Sequence, residues 1–162
     1  MKQFKRLNGK GLMSQLITAI ALFGLVQSSH AHDAGATMDP TGNSATFTGY
    51  ALVTCADDDN GPPEKLVASI RDHSPPVPGL LVNLQIITVP GGGLSPRAVS
   101  VTDPISGDEK SSPVVSINGK DKPYYILVNK TAPGARDFSV QYHCMTANDV
   151  HTGTGIVVYQ FE

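Results

Sequence analysis

From residue 32 onward, apolar and polar residues alternate in short runs that are rich in Val, Ile, Thr, Tyr and Phe. Clusters of Gly, Pro, Asn and Asp separate these runs, and such clusters favour turns. No stretch of useful length repeats its apolar residues with the period of a helix. The pattern therefore predicts short strands joined by turns. The predicted strands span residues 45–55, 65–72, 80–89, 97–103, 114–118, 124–129, 135–144 and 155–161.

Seven or eight short strands predict an all-β fold, because antiparallel sandwiches and barrels are built from many short strands between frequent turns. Pro and Gly are spread among the turns and no internal repeat occurs, so residues 32–162 are predicted to form a single domain. Tyr142 precedes Cys144 by two residues, which is the spacing of the tyrosine corner in immunoglobulin-like domains. That spacing favours a Greek-key β-sandwich or barrel, immunoglobulin-like or cupredoxin-like, over an up-and-down barrel.

The first 31 residues have the parts of an export signal. Residues 1–10 carry four basic residues and no acid, residues 12–26 are mainly apolar, and Ser29 and Ala31 are small residues at the positions that signal peptidase reads. The apolar run of about 15 residues is shorter than the roughly 20 residues that span a bilayer. We therefore predict a signal peptide over residues 1–31, a mature chain that begins with His32, and a periplasmic or secreted location.

Cleavage changes the charge of the chain, because it removes four of the twelve basic residues and none of the fourteen acidic residues. The formal net charge of the mature protein is then −6. An acidic chain without a basic patch does not neutralise phosphates, so we expect no nucleic-acid partner. No second apolar run of spanning length follows the signal, and we expect no membrane insertion after cleavage.

Both cysteines of the chain, Cys55 and Cys144, lie in the part predicted to be exported. Two thiols in a small domain usually pair in an oxidising compartment, so we predict a disulfide bond between them. Two free buried thiols, or a thiolate pair on a soft metal, are the alternatives, although no neighbouring residue supplies the other ligands of a zinc site. Since the two cysteines end strands that are distant in sequence, the bond would staple those strands and could cross between two sheets.

A mature chain that begins with His32 offers two nitrogen donors on one residue, the imidazole and the free α-amine. An α-amine has a pKa of about 8, low enough for Cu²⁺ to displace its proton at neutral pH. Near the other end of the sequence, Asp149 and His151 would point to the same face if both lay in one strand. Three nitrogens and one carboxylate oxygen suit the tetragonal geometry of Cu(II). His32, Asp149 and His151 are therefore the predicted metal ligands.

Three further features bear on the chemistry of the chain. His143 lies in the strand before the last hairpin and could face His151, which makes it a candidate accessory metal ligand; the alternative is a packed or exposed strand residue. His73 lies in a Pro-rich loop and is predicted to be a surface residue. The acidic run at 57–60 has oxygen atoms of the kind that calcium binds, but the EF-hand spacing is absent, so a solvated turn is favoured.

The two ends of the mature chain resemble the CopC family of periplasmic copper-resistance proteins. Mature chains of that family begin with His, carry a Pro-x-x-Gly-like turn soon after, and end in Asp-x-His, a glycine and a last strand. The corresponding residues here are His32, Pro40-Thr41-Gly42, Asp149-Val150-His151-Thr152-Gly153 and Ile156-Val157-Val158-Tyr159. The resemblance implies a small Greek-key β-sandwich or barrel and a Cu(II) site built from His32, Asp149 and His151. It also implies a carrier in copper resistance or homeostasis, with a membrane copper transporter or another protein as its partner.

The sequence departs from that family in three respects. Its Pro-Thr-Gly turn is one residue tighter than the Pro-x-x-Gly-like turn. The cysteine pair is not typical of the family, and the Met-rich Cu(I) site of some members is absent, because the predicted mature chain retains only Met38 and Met145. We therefore expect either a relative with a site for Cu(II) alone or a separate family that shares the site.

Two other classes of function compete with the copper carrier. The first is a structural or adhesion-type secreted β-sandwich that binds a protein or glycan. The second is a copper-dependent monooxygenase with a histidine brace, which is less favoured because the chain has no Trp and few aromatic residues. Hydrolase motifs such as Gly-x-Ser-x-Gly and His-Glu-x-x-His are absent from the sequence, so we expect the protein not to be an enzyme.

Overall fold

A computed structural model describes residues 32–88, 96–120 and 123–160 of the protein. The predicted signal peptide, the glycine run at 91–93 and the end of the last predicted strand lie outside these residues. The regular secondary structure of the described residues is entirely β, which confirms the predicted fold class. Its strands are β1 (His32–Met38), β2 (Thr48–Ala56), β3 (Lys65–Asp72), β4 (Val82–Thr88), β5 (Ala98–Thr102), β6 (Val115–Asn118), β7 (Tyr124–Lys130), β8 (Arg136–Met145) and β9 (His151–Gln160).

Strand β1 is absent from the sequence-based prediction, which found the other eight strands of the described residues. Its sequence is made of small and polar residues and has no run of large apolar side chains to signal a strand. The strand is held by its ladder with β8, from the pair His32 and Tyr142 to the pair Met38 and Arg136. At Gly35 a side chain would not fit, since an added Cβ would lie 2.6 Å from the carbonyl oxygen of Phe138.

The strands form one antiparallel sheet that curls into a nearly closed barrel, in the order β5-β4-β7-β2-β9-β8-β3-β6. The end strands β5 and β6 approach each other, and β1 lies outside this path, paired with β8. Most neighbouring strands are not consecutive in sequence, so the described strands do not form an up-and-down barrel. Strand β9 joins the two halves, because His151 and Thr152 pair with β8 whereas residues 153–160 pair with β2.

The core lies inside this barrel and is filled by alternate side chains of each strand. In β4, for example, Val82, Leu84 and Ile86 are fully buried, whereas the residues between them are only partly buried. Strands β7 and β8 alternate in the same way. Burial of apolar surface contributes about 25 cal/mol per Å², so these inward-facing rows supply the main driving force for closing the sheet.

The predicted disulfide bond between Cys55 and Cys144 is present. The two Cα atoms lie 5.6 Å apart, and 89 positions separate the cysteines in sequence. Cys55 belongs to β2 and Cys144 to β8, so the bond ties together the two halves of the barrel on either side of β9. Within the ladders, Cys144 pairs with Thr152 and Cys55 pairs with Thr154, which places the bond beside the start of β9.

A buried ion pair fixes the turn that follows β1. Lys130 Nζ donates to Asp39 Oδ2 at 2.6 Å, and the side chains of the two residues are 0% and 3% exposed. The Asp39 carboxylate also accepts hydrogen bonds from the backbone N–H groups of Asn43, Ser44 and Gly134. The bond from Lys130, together with these backbone donors, holds the pKa of Asp39 far below its ordinary value, although burial acts in the opposite direction.

This ion pair predicts a marked loss of stability in acid. Because the pKa of Asp39 is depressed by folding, its contribution is complete above the unfolded-state value of about 3.9 and is lost progressively below it. We expect Asp39→Asn to lower the unfolding temperature at pH 7 and to flatten its dependence on pH below about 4. Calorimetry at pH 7 and at a pH below about 4 measures both unfolding temperatures. The variant Asp59→Asn, at an exposed position, is the control. Equal pH dependence of Asp39→Asn and the wild type would contradict the prediction.

Candidate metal centre

Three histidines meet where two strands share one edge of β8. Strand β3 pairs with β8 from Phe138 to Met145 along the other edge, so β1 and β9 must share the remaining one. On that shared edge β1 pairs with residues 136–142 and β9 pairs with residues 144–145. His143 therefore lies between the start of β1, which is His32, and the start of β9, which is His151.

The three imidazole rings are close enough to bind one ion. Each ring offers a nitrogen, and the three nitrogens of His32, His143 and His151 all lie within 4.8 Å of one another. The ring centroids of His32 and His151 are 5.4 Å apart and nearly parallel, at 12°. The His143 ring stands edge-on to both, at 5.1 Å from His151 and 6.2 Å from His32.

Each of the three rings has a buried nitrogen without a hydrogen-bond partner among the described residues. These atoms are Nδ1 of His32, Nδ1 of His143 and Nε2 of His151. Buried polar atoms are nearly always hydrogen-bonded in folded proteins, and leaving one unpaired costs about 1–3 kcal/mol. Three such atoms in one cluster are explained together if a metal ion is their common partner.

Burial also keeps His143 in the form that binds metals. Its pKa is lowered, first because burial disfavours the charged imidazolium and then because positive charge on His151 and His32 opposes protonation. A metal-binding imidazole must be neutral. The cluster therefore presents a neutral ligand at His143 at lower pH than an ordinary histidine would.

The start of β9 is fixed by Thr152, which is fully buried beside His151. Its hydroxyl oxygen lies 2.9 Å from the carbonyl oxygen of Ala56, 3.0 Å from that of Gly61 and 3.1 Å from Asp58 Oδ1. These contacts join β9 to the end of β2 and to the loop that follows it. Together with the neighbouring disulfide bond, they hold His151 in place against β8.

Asp149 is not where the sequence prediction placed it. The residue lies in the turn before β9, with a positive φ of 60°, so it does not share a strand with His151 as the predicted arrangement required. Its backbone N–H donates to the Thr146 carbonyl oxygen, and its carboxylate pairs with Lys65 at 2.5 Å. The carboxylate is absent from the cluster of ligand atoms within 4.8 Å of one another, and the side chain is 72% exposed.

The other sequence candidates have different surroundings. His143, predicted as an accessory ligand, lies at the middle of the cluster. His73 is exposed and its ring contacts the Ser139 hydroxyl at 2.9 Å. In the acidic loop, Asp57 accepts hydrogen bonds from the backbone N–H groups of Asp59 and Gly61, which is the bonding of a self-contained turn.

Comparison of the chain with protein-family models, with curated proteins and with solved structures finds no match in any of the three. The resemblance to the CopC family thus stays a prediction. Among the described residues, no helix has the length and apolar character required to cross a membrane.

Proposed function

We propose that the protein binds Cu(II) in the periplasm or another extracytoplasmic compartment and serves as a copper carrier in resistance or homeostasis. The single observation that carries this proposal is the cluster of His32, His143 and His151. One nitrogen of each ring lies within 4.8 Å of the other two, and each ring has a buried nitrogen without a partner among the described residues. The disulfide bond supports the location, because such bonds persist in oxidising compartments.

Copper is the metal that best fits this donor set. Imidazole nitrogens suit zinc, copper, iron and nickel, and among divalent first-row ions Cu²⁺ binds such ligands most tightly. If export leaves His32 as the first residue, its α-amine adds a fourth nitrogen on the residue that already supplies an imidazole. Four nitrogens form the tetragonal set that Cu(II) prefers.

The position of the site favours transport of the metal over catalysis. All three histidines are only partly buried, so a bound ion would stay accessible for transfer to a protein partner such as a membrane copper transporter. A histidine-brace monooxygenase is the enzymatic alternative. It would release oxidised sugars from cellulose or chitin when given copper, reductant and oxygen, whereas a carrier would leave these substrates unchanged.

An interaction module is the second candidate, favoured by the outer face of β2, β7 and β9. Tyr50 stacks on Tyr159 with ring centroids 5.6 Å apart and meets Tyr125 edge-on at 6.4 Å. Tyr159 and Val157 are more than half exposed, at 55% and 53%. Exposed apolar patches of this kind often mark binding surfaces. Absence of any saturable metal site would favour this function over the copper carrier.

The N-terminal residue gives the proposal a direct test. A protein that begins at His32 should bind one Cu²⁺, and a form with one additional alanine before His32 should bind it at least about tenfold more weakly, because the primary amine becomes an amide. Isothermal titration measures both affinities, and equal unfolding temperatures without metal would show that the extension leaves the fold intact. No saturable binding by the protein that begins at His32 would contradict the proposed function.

A further inference from the structure

Met145 occupies a position in the ladder that brings it next to the histidine cluster. It lies directly opposite His151 in the pairing of β8 with β9, and two residues after His143 on the same strand. Residues directly opposite in an antiparallel pair have Cβ atoms about 4.5–5.5 Å apart, and residues i and i+2 share a face. Met145 is also partly buried. Two of the three histidines are therefore its immediate neighbours on one side of the sheet.

The chemistry of a thioether differs from that of the nitrogen donors around it. Methionine sulfur is soft and polarizable, and thioether and thiolate ligands select Cu(I). The methionine side chain is also unbranched and flexible, so it can turn its sulfur toward a neighbouring ion. A centre with three imidazoles alone would lack this soft donor.

On the opposite edge of β8, Met145 pairs with Lys65. The Lys65 ammonium forms an ion pair with Asp149 at 2.5 Å. This pairing partly offsets the positive charge of Lys65 and so reduces its repulsion of a cation held beside Met145. Asp149 is exposed and lies outside the histidine cluster, and its role at the centre is to offset the charge of Lys65.

We propose that Met145 is a fourth protein ligand of this centre and that its thioether allows the site to hold Cu(I) as well as Cu(II). The inference rests on the proposed copper function and adds a second oxidation state of the cargo to it. It differs from the expectation of a site for Cu(II) alone, which was based on the absence of a Met-rich segment.

The test compares both oxidation states in the variant Met145→Leu. Leucine keeps approximately the volume and the apolar character of the side chain and has no sulfur. Cu(I) is supplied without oxygen in competition with a chromophoric Cu(I) chelator, and Cu(II) is titrated separately in air. We expect Met145→Leu to lose at least about tenfold in Cu(I) affinity and to keep its Cu(II) affinity within about twofold. X-ray absorption of the Cu(I) form should detect a sulfur neighbour in the wild type and none in the variant.

Met38→Leu is the matched control, because Met38 is the other described methionine and lies in the core at the far end of β1. It should retain both affinities. An unchanged Cu(I) affinity in Met145→Leu, or an equal loss of both affinities, would overturn the role of Met145. Failure of the wild type to bind Cu(II) would instead overturn the proposed function, so the two failures are distinguishable.

Discussion

Replacement of His143 or His151 by alanine is expected to weaken Cu²⁺ binding by about a hundredfold or more. Each substitution removes one of three clustered imidazoles, and even partners outside the first coordination shell are typically worth about 10–100-fold in metal affinity. The copper electron paramagnetic resonance spectrum should change as well, because the number of nitrogen ligands falls. Titration with Cu²⁺ in competition with a chelator of known affinity measures the effect.

Two control variants separate ligand loss from general damage. His73→Ala removes an exposed histidine outside the cluster, and it should bind copper as the wild type does. Asp149→Asn tests the ligand set proposed from sequence, and we expect a much smaller loss than in His143→Ala, because this carboxylate pairs with Lys65 and only offsets its charge. Wild-type affinity in His143→Ala would contradict the site, and a large loss in Asp149→Asn would restore the sequence-based ligand set.

Loss of the disulfide bond is expected to produce the largest change in stability. The bond closes a loop across 89 sequence positions, for which the chain-entropy model gives roughly 4–5 kcal/mol, and removal of native disulfides typically costs about 2–5 kcal/mol. We expect the double variant Cys55→Ala/Cys144→Ala to lose stability in this range. Urea unfolding at fixed pH measures the free-energy difference.

Reductant supplies the internal control for this experiment. It should destabilise the wild type to about the level of the double variant and should leave the double variant unchanged. Unfolding of the wild type at the same urea concentration with and without reductant would show that the bond contributes nothing to stability.

The strands with strong apolar alternation could be predicted from the sequence. Strand β3 was predicted over 65–72, the range that it occupies, because its run of apolar and β-branched residues lies between clear turn signals. The disulfide bond was predicted because both cysteines lie in the part of the chain predicted to be exported. Both predictions depended on signals that are local or that involve two residues of one rare type.

The position of His143 and that of Asp149 could not be predicted in the same way. His143 becomes central because β1 and β9 share one edge of β8, and this register is set by long-range pairing that includes the unpredicted strand β1. Asp149 lies outside the cluster because the hairpin turn extends to Val150, and within this turn Asp149 has a positive φ. Because β9 begins at His151, two residues after Asp149, the imidazole of His151 belongs to the cluster and the Asp149 carboxylate does not.

The most direct test of the copper centre is anomalous diffraction from crystals of the protein that begins at His32, prepared with equimolar Cu²⁺. Data collected on both sides of the copper absorption edge locate the metal without reference to any ligand assignment. We expect one anomalous peak, bonded to an imidazole nitrogen of each of His32, His143 and His151. A fully occupied copper ion bound elsewhere, with the three imidazoles free of metal, would contradict the proposed centre.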